Sequence, residues 1–204
     1  MKRKAFGFTL IELLVVIAII AMLAAILIPA VNSALFNAAM TTTSSNGRSI
    51  YISTFADVMD NVVVSSGKGF PKKSEFTTST DYFINLVTSK TMEVSFDFFA
   101  SRKVDGAKTM DHTKFKPENN AWNLALDLDM YPEGTTFLFT RNLVLNTLPK
   151  TGIALAPTAT IEPFGENGVV CVLKGGSAFK LKKGPQMTSD NLNPSGAEAP
   201  VVKP

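Results

Sequence analysis

The sequence predicts an α+β protein in which a long N-terminal helix, transmembrane in its first half and amphipathic in its second half, packs on a small antiparallel β-sheet head. The first half is predicted by an almost unbroken apolar run at the start of the 204-residue chain, long enough to span a bilayer as a helix. Beyond that run, apolar residues at helical spacing predict the second half, and short apolar strands bounded by turn residues predict the sheet.

The apolar run has one charged residue near its start. No polar side chain occurs from Leu13 to Ile28, whereas Glu12 directly precedes that stretch and Lys2-Arg3-Lys4 lies further upstream. An acid inside a membrane span costs about 2.5 to 3.5 kcal/mol on insertion scales. We therefore expect Glu12 to have a positively charged partner.

The residues before the run match a known processing signal. A basic leader, the sequence Gly-Phe-Thr-Leu-Ile-Glu at residues 7–12 and an apolar helix follow one another in the order that resembles the class III signal of bacterial type IV pilins and type II secretion pseudopilins. The resemblance implies cleavage by prepilin peptidase between Gly7 and Phe8, with N-methylation of Phe8. It also implies that Glu12 pairs with the terminal ammonium of a neighbouring subunit during filament assembly.

Pro29 lies within the predicted helix and removes one of its backbone hydrogen bonds. A proline has no N–H to bond the carbonyl of Ala25, which predicts a kink. The resemblance implies that a proline here marks a segment that loosens in assembled filaments.

The resemblance, the helical spacing and the composition together predict the following domain organisation and location. We expect a prepilin leader peptide (1–7), a transmembrane and filament-core helix (8–31), an amphipathic helix continuation (32–64), a globular α+β head (65–184) and a flexible tail rich in Pro, Ser, Asn, Ala and Gly (185–204). The basic leader predicts a cytoplasmic N-terminus. The protein is thus expected in the bacterial inner membrane, single-pass, with a periplasmic or extracytoplasmic head, and then in a filament.

Charge does not indicate a nucleic-acid partner. Three of the 20 basic residues lie in the leader, and those that remain equal the 17 acidic residues in number. The basic pI therefore reflects membrane orientation. The expected partners are other pilin-like subunits in a homo- or hetero-oligomeric filament, the prepilin peptidase and the inner membrane.

Several elements of the head can be placed in order. The helix continuation carries an apolar stripe that includes Ile52, Phe55 and Met59 and should pack on the head, with a bend or fray near Gly47. A short helix is predicted within residues 77–90, with Ser79 or Thr80 as its N-cap, and strands are predicted within 121–129 and 135–145.

A hairpin is predicted late in the chain. Strands over 168–173 and 177–182 flank a two-residue turn at Gly175-Gly176. In that register Val172 opposes Phe179, and Cys171 shares a face with Lys180, which predicts partial exposure of the thiol.

The chemistry of an enzyme is not visible in the sequence. Cys171 is the only cysteine, so no intramolecular disulfide can form, and we expect an inert strand residue. His112 is the only histidine, and no triad, phosphate loop or zinc spacing accompanies it. Since several secretion pseudopilins hold calcium in the head, Asp127, Asp129 and Glu133 are the residues to consider, but they lack a calcium-loop spacing. We expect no cofactor, with structural calcium as the alternative.

The predicted function is that of a non-enzymatic, prepilin-like structural subunit of a type IV pilus-like or type II secretion pseudopilus filament. Two alternatives stay open: a minor pilin or surface-binding module that contacts DNA or a partner, and a membrane-anchored exported protein that does not polymerise. An ordinary secretory signal peptide, cleaved near residues 32–34, competes for the N-terminal stretch, although its apolar region would be shorter and would not need Glu12.

Overall fold

A computed structural model describes residues 9–63 and 70–204, with the backbone alone for helix residues 60–63. The chain divides into two compact units, residues 1–39 and residues 40–204. A long helix begins the described chain and an antiparallel sheet lies in the second unit, which confirms the predicted α+β class. In chain order the elements are α1 (Leu10–Val63), α2 (Ser79–Thr88), β1 (Trp122–Ala125), β2 (Thr136–Thr140), β3 (Gly168–Leu173), β4 (Ala178–Lys182), α3 (Ser189–Leu192) and β5 (Val201–Val202).

The strands within residues 70–204 form one five-stranded sheet in the order β4-β3-β2-β1-β5, and each neighbouring pair is antiparallel. Strands β1, β2 and β3 are buried along their whole length. The three inner strands therefore form the centre of the head, which explains why their sequences are apolar runs and not alternating patterns.

Helix α1 contributes one face to this core. Its buried positions recur at helical spacing and are Met40, Thr43, Gly47, Ile50, Thr54 and Val58. The predicted stripe lies elsewhere, because Ile52, Phe55 and Met59 are 55%, 40% and 43% exposed. The helical period was predicted correctly, but the choice of the face that packs on the head was wrong.

Gly47 explains which face of α1 packs on the sheet. A Cβ atom at this position would lie 2.6 Å from Cη2 of Trp122 and 2.8 Å from Cγ2 of Val172. The helix is continuous through this residue, so the predicted fray is wrong, whereas the bend stays a prediction. The glycine is needed because the helix backbone approaches the sheet too closely for a side chain.

The N-cap of helix α2 lies one residue before the first of the two predicted caps. Thr78 is its N-cap, accepts a hydrogen bond from the backbone N–H of Asp81, and forms a capping box with that residue. The buried face of α2 includes Phe83, which stacks on Phe99 with ring centroids 4.5 Å apart. Since Phe96 and Phe99 are fully buried, they belong to the core.

The late hairpin is present in a different register. Val172 pairs with Ala178 and Cys171 with Phe179, one residue away from the predicted pairing. The turn uses three residues, Lys174-Gly175-Gly176, because the N–H of Gly176 bonds the carbonyl of Leu173 and Gly176 adopts φ +81°. A three-residue loop that ends in a left-handed glycine is one of the standard hairpin connections.

Cys171 lies on β3, an inner strand that is buried along its whole length. The thiol is fully buried, which corrects the predicted partial exposure. Burial raises its pKa from the ordinary value of 9.0 to about 12, partly offset by a hydrogen bond from the backbone of Phe179.

The last twenty residues are built into the head and do not form the flexible tail that composition predicts. Val201 and Val202 pair with Ala125 and Leu124 of β1, and Leu192 and Ala199 are fully buried. The low average hydrophobicity of this segment did not reveal these few buried residues, because they do not form a continuous apolar pattern.

The close approach at Gly47 predicts the effect of adding one methyl group. Gly47→Ala should lower the free energy of unfolding of the head by about 1 kcal/mol, because overpacking costs about 1–3 kcal/mol and exceeds the gain in helix propensity of about 1 kcal/mol. Chemical denaturation of the detergent-solubilised chain, followed by circular dichroism, measures this change. Ser45→Ala, at an exposed position of the same helix, is the control. A Gly47→Ala variant as stable as wild type would contradict the steric account. The account would also be contradicted if Gly47→Ala lowered the free energy of unfolding by the same amount in a Trp122→Phe background.

Burial of Cys171 predicts that its thiol is protected. Alkylation by iodoacetamide at pH 9 should be slow in the folded chain and rapid in denaturant, since a pKa of about 12 leaves almost no thiolate at that pH. The difference between the folded and the unfolded pKa also makes stability depend on pH. The contribution of Cys171 to stability is complete below the unfolded pKa of 9.0 and is lost as the pH rises towards the folded pKa of about 12. Stability should therefore fall less between pH 9 and pH 11 in Cys171→Ala than in wild type. Fast alkylation of the native chain would refute the buried placement.

Candidate functional site

The start of α1 carries the residues on which the predicted assembly chemistry depends. Glu12 lies in the first turn of the helix, and its side chain is exposed. Pro29 lies within the same helix, which runs through it, and the kink predicted there stays a prediction. The predicted cleavage site, Gly7 and Phe8, lies outside the described residues.

Thr9 and Glu12 form a reciprocal pair at the helix N-terminus. Oε2 of Glu12 accepts hydrogen bonds from the backbone N–H of Thr9 at 2.8 Å and from its hydroxyl at 2.7 Å. In return, the Thr9 hydroxyl oxygen accepts the backbone N–H of Glu12 at 3.3 Å. This is the capping box, in which the N-cap and the third helical residue satisfy each other's free N–H groups.

The capping box adds a role for Thr9 that the sequence analysis missed. The signal was present, since a threonine followed three residues later by glutamate before an apolar run is the usual sequence mark of this cap. The box engages Oε2 alone, and within the described residues Oε1 of Glu12 receives no hydrogen bond. The carboxylate is therefore held in place by its own helix and keeps one oxygen available.

The helix beyond Glu12 is apolar on all sides. Every large apolar residue from Leu10 to Leu35 is exposed within the chain, with exposed fractions from 45% at Val16 to 88% at Leu10. Among the described residues, one helical segment, Leu10–Met59, contains a stretch long and apolar enough to cross a membrane. A surface of this size needs a cover of lipid or of other apolar helices.

Two of the three acidic residues considered for calcium accept hydrogen bonds within the head. Oδ1 of Asp129 accepts the N–H of Phe70 at 2.7 Å, and Oδ1 of Asp127 accepts the N–H of Lys73 at 3.2 Å. These bonds anchor residues 70–73 beside the loop after β1. Within residues 9–63 and 70–204, no group of three or more His, Cys, Asp or Glu side chains is placed to hold a metal ion.

The remaining candidates do not come together in a site. His112 is exposed at the start of a short 3₁₀ turn, where the neighbouring Asp111 accepts bonds from the N–H and hydroxyl of Thr113. Hydrogen bonds from Thr113 lower the pKa of Asp111. Of the lysines near the hairpin, Lys183 pairs with Glu166 at 2.6 Å and Lys180 donates to the hydroxyl of Thr41. These charges are used within the head.

Comparison with known proteins supports the interpretation of the N-terminal segment. The model of the prokaryotic N-terminal methylation motif matches residues 2–28, which include Gly7, Phe8, Thr9 and Glu12. No curated protein and no solved structure matches the chain. The match covers the predicted leader, the predicted cleavage position and the first part of α1, and the chain thus carries the prepilin-type signal of type IV pilins and pseudopilins at residues 2–28.

Proposed function

We propose that this protein is a structural, non-enzymatic subunit that is processed by prepilin peptidase and assembled into a type IV pilus-like or type II secretion pseudopilus filament. The observation that carries the proposal is the methylation motif at residues 2–28, together with the helical segment 10–35, whose large apolar side chains are all exposed. A processing signal and an uncovered apolar helix are the two features that a membrane precursor of a helical polymer requires.

Processing supplies the charge that the helix needs. Cleavage between Gly7 and Phe8 creates an ammonium group at the new N-terminus, and methylation of Phe8 keeps that positive charge. In a filament core formed by α1 helices, Glu12 of one subunit pairs with the terminal ammonium of its neighbour. A buried carboxylate without a partner is expensive, whereas a paired one is tolerated and fixes the axial register between subunits.

The geometry of Glu12 is compatible with such a pair. Its Oε2 is engaged with Thr9, while Oε1 is available among the described residues, and a carboxylate can accept about four hydrogen bonds. Before assembly, the same segment anchors the protein in the inner membrane, with the basic leader in the cytoplasm and the head on the other side.

The first prediction concerns the charge of Glu12. Glu12→Ala and Glu12→Gln should both yield processed protein that fails to enter filaments, because neither side chain has the negative charge that an ion pair with an ammonium requires. Glutamine also serves in a capping box, so the second variant keeps the helix cap while it removes the charge. The measurement is the amount of each variant in the sheared-filament and membrane fractions of cells that express the assembly machinery.

Glu93→Gln, an exposed carboxylate of the head, is the matched control and should assemble normally. Normal assembly of Glu12→Gln, with a defect in Glu12→Ala alone, would assign Glu12 to helix capping and would refute the ion pair.

The second prediction concerns the mature N-terminus. Mass spectrometry of the protein isolated from cells should find a chain that begins at N-methylated Phe8. A product that begins near Ala34 would indicate an ordinary secretory signal peptide, and an intact Met1 would indicate an uncleaved anchor. Either result would remove the basis of the proposal.

A further inference from the structure

Within residues 70–204, the sheet of the head ends on one side at β4. This strand pairs with β3 over five residues, whereas β5, the strand at the other edge, has two residues. The side chains of Phe179, Lys180 and Lys182 are exposed. The edge at β4 is therefore the longer of the two and can be reached from the solvent.

The backbone groups of β4 alternate between the sheet and the open edge. The N–H of Leu173 bonds the carbonyl of Ser177, and the N–H of Lys183 bonds the carbonyl of Asn167. Hydrogen-bonded pairs recur at every second residue of an antiparallel ladder, so these two bonds fix which residues of β4 point towards β3. The residues whose N–H and C=O groups point away from the sheet are Ala178, Lys180 and Lys182. In the described part of the chain, no hydrogen bond reaches these outward groups.

One face of this edge is positively charged. Lys180 donates to the hydroxyl of Thr41 in α1, so its side chain lies on the side of the sheet that faces α1. Lys182 lies on the same side, because side chains alternate along a strand. Among the described residues neither lysine forms an ion pair, and a hydroxyl group does not neutralise the charge of Lys180. On the other face, the side chain of Phe179 is 43% exposed.

The lysines distinguish between two kinds of strand that could extend the sheet. Antiparallel pairing with β4 of a second copy would place the lysines of the two copies opposite or next to one another. Like charges at opposite positions are destabilising, and lysines on edge strands commonly prevent such self-pairing. A segment with Asp or Glu opposite Lys180 and Lys182 would instead form two cross-strand ion pairs.

We propose that β4 binds an extended acidic segment of a partner protein, which extends the sheet by one antiparallel strand and places Asp or Glu opposite Lys180 and Lys182. The outward N–H and C=O groups of β4 supply the backbone hydrogen bonds of this strand addition. Every neighbouring pair in the sheet is antiparallel, which is also the more stable arrangement per residue. Apolar residues that alternate with the acidic ones lie beside Phe179. The proposal does not depend on filament assembly.

The test is an NMR titration of the full, isotope-labelled chain in zwitterionic detergent micelles. The probe is the peptide acetyl-Thr-Val-Glu-Val-Glu-Val-Thr-amide. On binding, the amides of Lys180 and Lys182 should become protected from hydrogen exchange, whereas those of Phe179 and Leu181 should be protected in the free chain already. The same peptide with Gln in place of both Glu residues should bind about three- to tenfold more weakly, because two exposed ion pairs are lost.

N-methylation of the peptide distinguishes strand addition from attraction between charges alone. In the antiparallel ladder, each Glu opposite Lys180 or Lys182 exchanges two backbone hydrogen bonds with that lysine. A peptide N-methylated at both Glu residues should therefore not bind. A peptide N-methylated at two Val residues, whose N–H groups point to solvent, should bind like the parent peptide. Equal binding of the two methylated forms would overturn the proposal.

Matched variants test the lysines. The double variant Lys180→Gln/Lys182→Gln should bind the acidic peptide about three- to tenfold more weakly and should bind the Gln peptide as wild type does. Lys108→Gln/Lys116→Gln, at exposed positions outside the sheet, has the same net charge and should bind both peptides like wild type.

Three further results would each overturn the proposal: no binding of the acidic peptide, equally tight binding of the Gln peptide, or unchanged affinity of Lys180→Gln/Lys182→Gln for the acidic peptide. Dimerisation of the chain alone, with the amides of Lys180 and Lys182 protected, would assign the edge to a second copy and would overturn it as well.

Discussion

The head depends on one close approach, that of the α1 backbone at Gly47 to Trp122 of β1 and Val172 of β3. A side chain at Gly47 would overlap both residues, so this contact is available to glycine alone without a shift of the sheet. Trp122 is fully buried beneath the helix. Because the tryptophan lies on an inner strand, the position of the helix is coupled to the pairing of β1 with its neighbours on both sides.

This contact also decides which residues of α1 remain outside the core. Once Gly47 faces the sheet, the helical period turns Met40, Ile50, Thr54 and Val58 inward and leaves Phe55 outward. Phe55 and Tyr51 then stack on each other with ring centroids 5.7 Å apart. The large apolar side chains of Ile52, Phe55 and Met59 therefore remain exposed on the head along α1.

The same contact explains where prediction from sequence failed. The predicted stripe used the largest apolar residues, whereas the packed face uses Thr43, Gly47 and Thr54, which are small enough for a close fit. Hydrophobic periodicity reports the helical period, but it cannot choose between two faces when one is selected by size. The register of the hairpin was predicted wrongly for a similar reason. Gly175 and Gly176 allow a two-residue or a three-residue loop, and the choice depends on what the strands pack against. By contrast, the processing motif, the helix and the inner strands followed from local patterns, because their determinants are contiguous in the chain.

In the candidate site at the N-terminus, one side chain, that of Glu12, caps its own helix and is also proposed to pair with a neighbouring subunit. The capping box between Thr9 and Glu12 is encoded within four residues, and it restricts the carboxylate before any partner arrives. A side chain that is already ordered loses less rotamer freedom when it forms an ion pair, so the cap lowers the entropic cost of the proposed contact. The cap alone does not explain a charged residue in a membrane helix, because glutamine caps equally well and avoids the cost of burying a charge. The choice of glutamate over glutamine at position 12 is thus the physical argument for a cationic partner, and the new N-terminus of a neighbouring subunit is a cation that the processing signal itself would create.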